Sequence, residues 1–267
     1  MICNLCESKD VKFYKTVDLL DLYKCNKCGI VFVSPFPKIS YESDYYENYG
    51  EEPYINKERS KALSSENFLI KLEEFVPRKG NLIEVGSATG YLLDNARARG
   101  WNVLGVDISQ WARNYAKDKL QIESYEDINT IQEKADAVIM LNTIEHFKDP
   151  KKMLFDIRNK LKHRGHVLIT TPNFDDLRFI FKRHKNPNVE AQHNYYFTVR
   201  TLKSLLGRMG FDVVYQRSPL ISRMVDSSIV KNVETKRKIM KLPLFKIFKK
   251  LDNSNYGTTV EIIARKR

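Results

Sequence analysis

The sequence predicts an α/β fold: a doubly wound, mostly parallel sheet of seven strands behind a small cysteine-bearing unit. Three observations carry this. From Leu82 to the C-terminus short apolar runs alternate with amphipathic stretches, the pattern of parallel strands covered by helices on both faces. The first run, Leu82-Ile83-Glu84-Val85, passes directly into Gly86-Ser87-Ala88-Thr89-Gly90 and then Tyr91-Leu92-Leu93: a strand, a glycine-bearing turn and a helix start. All four cysteines lie before residue 29.

The cysteines form two C-x-x-C pairs, Cys3 with Cys6 and Cys25 with Cys28, separated by 18 residues. That spacing matches a zinc ribbon, because each tight loop supplies two thiolates to a tetrahedral ion. Four cysteine ligands leave no open position, so the zinc is expected to be structural. Four free or redox-active thiols are the alternative. Val11, Phe13, Leu20, Tyr23 and Val31-Phe32-Val33 are enough for two or three small strands, and the unit is expected to span 1–40.

Residues 41–76 follow as a linker or lid with a leading helix. Tyr41, Tyr45, Tyr46, Tyr49 and Tyr54 stand among acids and asparagines, either packing on the ribbon or giving an aromatic wall to a site. Arg59 to Val76 is expected to be helical and to stop at Pro77-Arg78-Lys79-Gly80.

The main domain, 77–267, then alternates. Thr89 to Arg99 is a helix closed by Gly100. Asn102 to Val106 is a strand ending in Asp107. Ser109 caps the next helix. A weak strand begins at Ile122 and an apolar one spans Ala135 to Leu141. Asp149-Pro150 is a cap followed by proline, a strong helix start. Gly165 to Thr171 is a strand, Thr198 caps a helix, and Phe211 to Tyr215 and Thr258 to Ala264 are the last strands.

The glycine turn constrains the ligand. Gly86-x-x-x-Gly90, with Ala88 between, lacks the G-x-G-x-x-G of a pyrophosphate cradle and the G-K-[ST] of a P-loop. A nucleoside without phosphates fits better, with its ribose at Asp107. S-adenosylmethionine is such a ligand, its amino-acid part lying against the turn.

Glu84-Val85-Gly86-Ser87-Ala88-Thr89-Gly90 resembles the first motif of class I S-adenosylmethionine-dependent methyltransferases, and Asp107 the acid of the second. Leu141 to Pro150 is similar to the E-H-x-x-D-P segment of their small-molecule and sugar branch, where zinc-ribbon amino termini also occur. His163 to Asn173 and His193 to Thr198 resemble further stretches of that branch. The resemblance implies a Rossmann-like sheet. It also implies donor binding by Glu84, Gly86, Ser87, Ala88, Gly90, Asp107, Ile108 and Asn142. Ala88 replaces a usual glycine, and only Glu126 and Asp127 stand where an adenine-side acid is expected.

Methyl transfer needs alignment and, for a hydroxyl acceptor, a base. His146 follows a strand at the sheet's carboxyl edge and is either that base or a structural histidine bonding a loop carbonyl. His193 is the second candidate, beside Tyr195 and Tyr196 as substrate wall. His163, His166 and His184 are expected on the surface or in the sheet.

The net charge of +12 is uneven: Lys231 to Arg267 holds eleven Lys and Arg against three Asp and Glu. The insert near 219–253 interleaves Lys231–Leu251 bases with apolar residues. It is expected either to cover the sheet or to touch an anionic membrane surface. The expected reaction is methyl transfer to a sugar or other small hydroxylated acceptor, free, nucleotide-linked or lipid-linked. The alternatives are an RNA methyltransferase and a non-catalytic interaction module. Nucleic acid is not the expected partner, since Leu141 to His146 is unlike the N-P-P-Y segment that stacks a flipped base. With no signal-like start, a cytoplasmic location is expected.

Overall fold

A computed structural model describes residues 1–37, 51–176, 189–219 and 255–267. Tyr41, Tyr45, Tyr46 and Tyr49, His184 and the Lys231–Leu251 segment lie outside the described residues.

Two sheets organise the chain. The large one has the order β10-β11-β8-β7-β4-β5-β6. Its strands are β4 (Asn81–Val85), β5 (Asn102–Val106), β6 (Ser124–Tyr125), β7 (Ala135–Leu141), β8 (Leu161–Pro172), β10 (Phe211–Arg217) and β11 (Thr259–Lys266). Here β11 pairs antiparallel with both β8 and β10, while the pairs through β8, β7, β4, β5 and β6 are parallel. The expected mostly parallel, seven-stranded sheet is therefore the one observed.

Strand residues alternate between two cores. Ile83, Val85, Val138, Met140, Val167 and Ile169 pack on one face. Leu82, Ala137, Ile139 and Leu168 pack on the other. Leu154 and Ile157 of α4 (Pro150–Lys160) and Leu202, Leu205 and Leu206 of α5 (Val199–Arg208) cover the first face. Leu69 and Leu72 of α1 (Glu51–Glu73) and Leu92 and Ala96 of α2 (Tyr91–Ala98) cover the second. Each fully buried aliphatic side chain contributes roughly 1.5–3 kcal/mol.

The caps follow the residues. Ser109 accepts the Ala112 N–H at the start of α3 (Gln110–Leu120), Asp149 accepts that of Lys152, and Thr198 forms a reciprocal box with Thr201. Helix α1 begins eight residues before the expected Arg59 and ends at Glu73 rather than Val76. Glu51 to Lys57 shows no apolar stripe in the sequence. Pro53 nonetheless sits in the first turn, where its missing N–H costs nothing, and Tyr54 is buried.

The small sheet, β1-β2-β3-β9, holds a surprise of topology. Its first strands are β1 (Val11–Val17), β2 (Leu20–Cys25) and β3 (Val31–Val33), but its fourth is β9 (Tyr195–Tyr196) from the main domain. Val31 faces Tyr196 and Phe32 faces Tyr195.

At the carboxyl end of β8, Asn173 Nδ2 lies within 3.0 Å of Ser218 Oγ and of the Asn255 and Gly257 carbonyls. The Thr258 N–H meets the Pro219 carbonyl at 2.9 Å. The residues flanking 220–254 are thus clasped together. Among the described residues no helix is long and apolar enough to cross a membrane.

Candidate active site

Strand order reverses between β4 and β7: the chain runs from β4 outward to β5 and β6, then returns to β7 on the other side. A crevice outside the carboxyl ends of the strands is expected at such a switch point. A cavity of about 1500 Å³ lies there.

Gly86, with φ of 78°, follows β4; a Cβ there would sit 2.5 Å from the Thr143 Oγ1. Only glycine allows this approach. Ala88 is also left-handed, at φ 44°. Its N–H donates to one Asp107 oxygen at 2.8 Å, and the Ser109 N–H to the other at 2.9 Å. Asp107 therefore ties the glycine turn to the entry of α3. Burial raises its pKa, against the pull of these two N–H groups.

Glu84 is buried, and its Oε2 has no hydrogen-bond partner. Burial pushes its pKa well above the usual carboxylate range, and the nearby charges of Glu58 and Asp107 push the same way. The Ser87 hydroxyl is buried and likewise unpartnered. These orphaned acceptors beside Asp107 fit a cationic ligand with hydroxyls, which S-adenosylmethionine is. Glu84, Gly86, Ser87, Ala88, Asp107, Ile108 and Asn142 all line the cavity; Gly90 does not. Gly90 instead caps α2 at φ 82°, where a Cβ would press on Ala116. Glu126 lines the cavity and pairs with Arg113 at 3.5 Å, whereas Asp127 caps a 3₁₀ turn.

The sequence reading missed Glu58, an acid of α1 on the cavity wall. On a polar helix nothing distinguishes it from a solvated charge. Tyr54 also lines the cavity and meets Trp111 edge-on at 5.9 Å.

His146 and His193 lie at the same cavity, on the β7 side, with ring centroids 4.9 Å apart. His146 Nδ1 lies 2.9 Å from the Gln192 carbonyl oxygen. An imidazole bonding a carbonyl must donate, so the neutral ring carries its proton on Nδ1 and leaves Nε2 a lone pair. Burial and then the charge of His193 lower the His146 pKa to about 4. His193 is buried, with Nε2 3.8 Å from Glu190. Glu145 is buried too, and its pKa is pushed up to about 8 by burial. Neither of its oxygens has a well-formed hydrogen bond, although its own N–H and the Thr171 hydroxyl are near enough to oppose that rise. Tyr195 and Tyr196 are not cavity wall: both are buried in β9, and Tyr195 OH donates to the Lys148 carbonyl.

The four cysteine sulfurs lie within 4.8 Å of one another. Cys3 and Cys28 are 3.7 Å apart, and Cys6 and Cys25 3.5 Å. Zinc–sulfur bonds of about 2.3 Å in a tetrahedron set sulfurs roughly 3.8 Å apart. The donor set and its spacing are compatible with a bound metal.

Residues 56–216, more than half of the chain, match the family described as methyltransferase domain. A ubiquinone biosynthesis O-methyltransferase of Alkalilimnicola ehrlichii is 31% identical over 111 residues, 38% of this chain and 44% of that protein. The match thus spans less than half of that curated relative. A phosphoethanolamine N-methyltransferase 2 of Haemonchus contortus, solved with S-adenosyl-L-methionine, superposes with a TM-score of 0.57 at 18% identity. That alignment covers 88% of this chain and 62% of the other. A SAM-dependent methyltransferase of Archaeoglobus fulgidus gives 0.52 at 19% identity, covering 77% and 94%. Both share the fold. With the sheet order, the glycine turn after β4 and the family match over residues 56–216, the chain belongs to the class I S-adenosylmethionine-dependent methyltransferases.

Proposed function

We propose that this chain transfers a methyl group from S-adenosylmethionine to a hydroxyl of a sugar or other small hydroxylated acceptor, with His146 as the base. The observation that supports this is the His146–Gln192 contact, which puts the proton on Nδ1 and the lone pair on Nε2 of a ring belonging to a cavity-lining residue. The bound donor supplies an already activated methyl on a cationic sulfonium. Glu84, Gly86, Ser87, Ala88, Asp107, Ile108 and Asn142 hold it in this reading, with Glu58 adding negative charge and Gly90 shaping the turn. His146 takes the acceptor proton, and His193 packs against it to fix the ring.

A hydroxyl acceptor agrees with the name of the O-methyltransferase relative, whose matched part is less than half its length. The four cysteines hold a structural zinc in this reading. The ribbon with its zinc belongs to the sugar-type branch that the sequence resembles, and the chain works in the cytoplasm. Formation of S-adenosylhomocysteine against a panel of nucleotide sugars, phenols and cell-envelope lipid extracts tests the proposal. Turnover confined to RNA, and abolished by nuclease, would sink it.

A further inference from the structure

Asn194 is 5% exposed, one residue after His193. Its backbone N–H donates to the Glu145 carbonyl at 2.9 Å, and its side-chain Nδ2 to the His146 carbonyl at 2.6 Å. Its own carbonyl accepts the Val33 N–H of β3 at 3.1 Å. The next residue, Tyr195, donates its hydroxyl to the Lys148 carbonyl at 3.1 Å. Tyr195 is in turn packed on Phe32 and Phe36 of the cysteine-bearing unit, at 6.2 and 5.6 Å between centroids.

The segment so held is a single 3₁₀ turn, Ile144–His146. Its internal support is the His146 N–H to Thr143 carbonyl bond at 3.0 Å. One turn does not sustain itself in water, because nucleation fixes several dihedrals for one bond. The orientation of His146 therefore depends on donors from outside the turn. Asn194 Oδ1 is buried and unpartnered, so the side chain is used for its amide donor alone. Leaving a buried acceptor without a partner is costly, and the clamp persists despite it.

We infer that Asn194 is a positioning residue: it clamps the Glu145–His146 turn to the cysteine-bearing sheet and so aims the His146 imidazole into the cavity. The inference rests on the reading of His146 as base only for its catalytic consequence; the clamp itself is a separate matter of geometry. The titratable groups facing His146 are His193 and Glu190 of the neighbouring loop and Glu145 of its own turn.

The test uses the full chain with ¹⁵N-labelled histidine and long-range ¹H–¹⁵N spectra, His146 being identified by its loss in His146→Gln. The wild type is expected to show the Nδ1–H tautomer and a midpoint far below the usual histidine value. Asn194→Leu removes the amide without adding charge. It is expected to mix the tautomers and move the midpoint upward, with S-adenosylmethionine affinity by calorimetry within twofold and His163 and His166 unmoved. Should Asn194→Leu not fold, Asn194→Ala removes the same donor. His146 signals identical to wild type in the folded variant overturn the clamp. If those signals shift while His146→Gln retains full turnover, the clamp stands and the base assignment falls. If they do not shift while His146→Gln loses turnover, the base stands and the clamp falls.

Discussion

His146 Nδ1 and the Gln192 carbonyl oxygen are 2.9 Å apart, and that contact puts the neutral ring's proton on Nδ1. The sequence left two roles open for this histidine, base or partner of a loop carbonyl. The two are compatible: a ring that donates from Nδ1 to a carbonyl keeps its lone pair on Nε2, as the proposed base requires.

A first prediction follows for turnover. His146→Gln is expected to lose about 10²–10⁴-fold in kcat, the usual worth of a general base, while donor affinity is unchanged. With the His146 pKa at about 4 in the ligand-free protein, the acid limb of the wild-type kcat/KM profile should fall near pH 4 rather than near 6.5. Rates measured from pH 4 to 8 with S-adenosylhomocysteine readout check both points. A variant that turns over normally removes His146 from the chemistry.

A second prediction concerns Glu145 and stability. Its folded pKa, at about 8, lies above the ordinary carboxylate value of the unfolded chain. Between about pH 4.5 and 8 the native state keeps a proton that the unfolded state has lost. The contribution is therefore full below pH 4.5 and is lost as pH rises through this window, on the order of 3 kcal/mol by pH 7. His146 acts oppositely: its lowered pKa means that stability is lost as pH falls from about 6.5 to 4. Glu145→Gln should abolish the first slope and keep the second. Melting temperatures of the two proteins should then diverge in the variant's favour from pH 5 to 8. Parallel curves would show Glu145 ionised in the native state.

How far the sequence shows this site depends on range. The β4 turn was legible because an apolar run, two glycines and an acid lie within 24 residues, from Glu84 to Asp107. The caps at Ser109, Asp149 and Thr198 were legible because capping is a local bond. Strand β9 was not, since two residues have no measurable period and their partner, β3, lies more than 160 positions earlier. Tyr195 and Tyr196 were consequently read as substrate wall, and Asn194, though inside the His193 to Thr198 stretch, was given no role of its own. Glu58 failed for another reason: only the fold places that position of α1 on the cavity wall.

Ala88 supports a third prediction. Its φ of 44° is a left-handed backbone, which costs a residue with a Cβ roughly 1–2 kcal/mol. Glycine gives part of that back through its looser unfolded state. Ala88→Gly is thus expected to stabilise the protein by about 0.5–1 kcal/mol, a rise of roughly 1–4 °C in Tm. Removing the methyl also widens the approach to the turn, so donor affinity should hold or tighten. Thermal melting and calorimetry on the variant check this; a fall in Tm would mean that the methyl contributes packing worth more than the strain.

The last prediction links the cysteines to the site. Sulfur pairs at 3.5 and 3.7 Å are close to the spacing of a tetrahedral zinc–thiolate site. A metal bound only by the folded state stabilises that state by mass action. Purified protein is therefore expected to carry about one zinc per chain by elemental analysis. A strong chelator should lower its Tm. Cys25→Ser should carry less metal and melt lower without chelator. Because β3 bears β9, loss of the metal should also reach the His146 turn through Asn194. Amide exchange across the β3–β9 ladder is expected to speed up in the metal-free protein, while the β4–β7 ladder, which no strand of the cysteine-bearing unit joins by hydrogen bonds, stays protected. A four-serine variant that keeps the wild-type Tm and β9 protection would overturn the structural role of the metal.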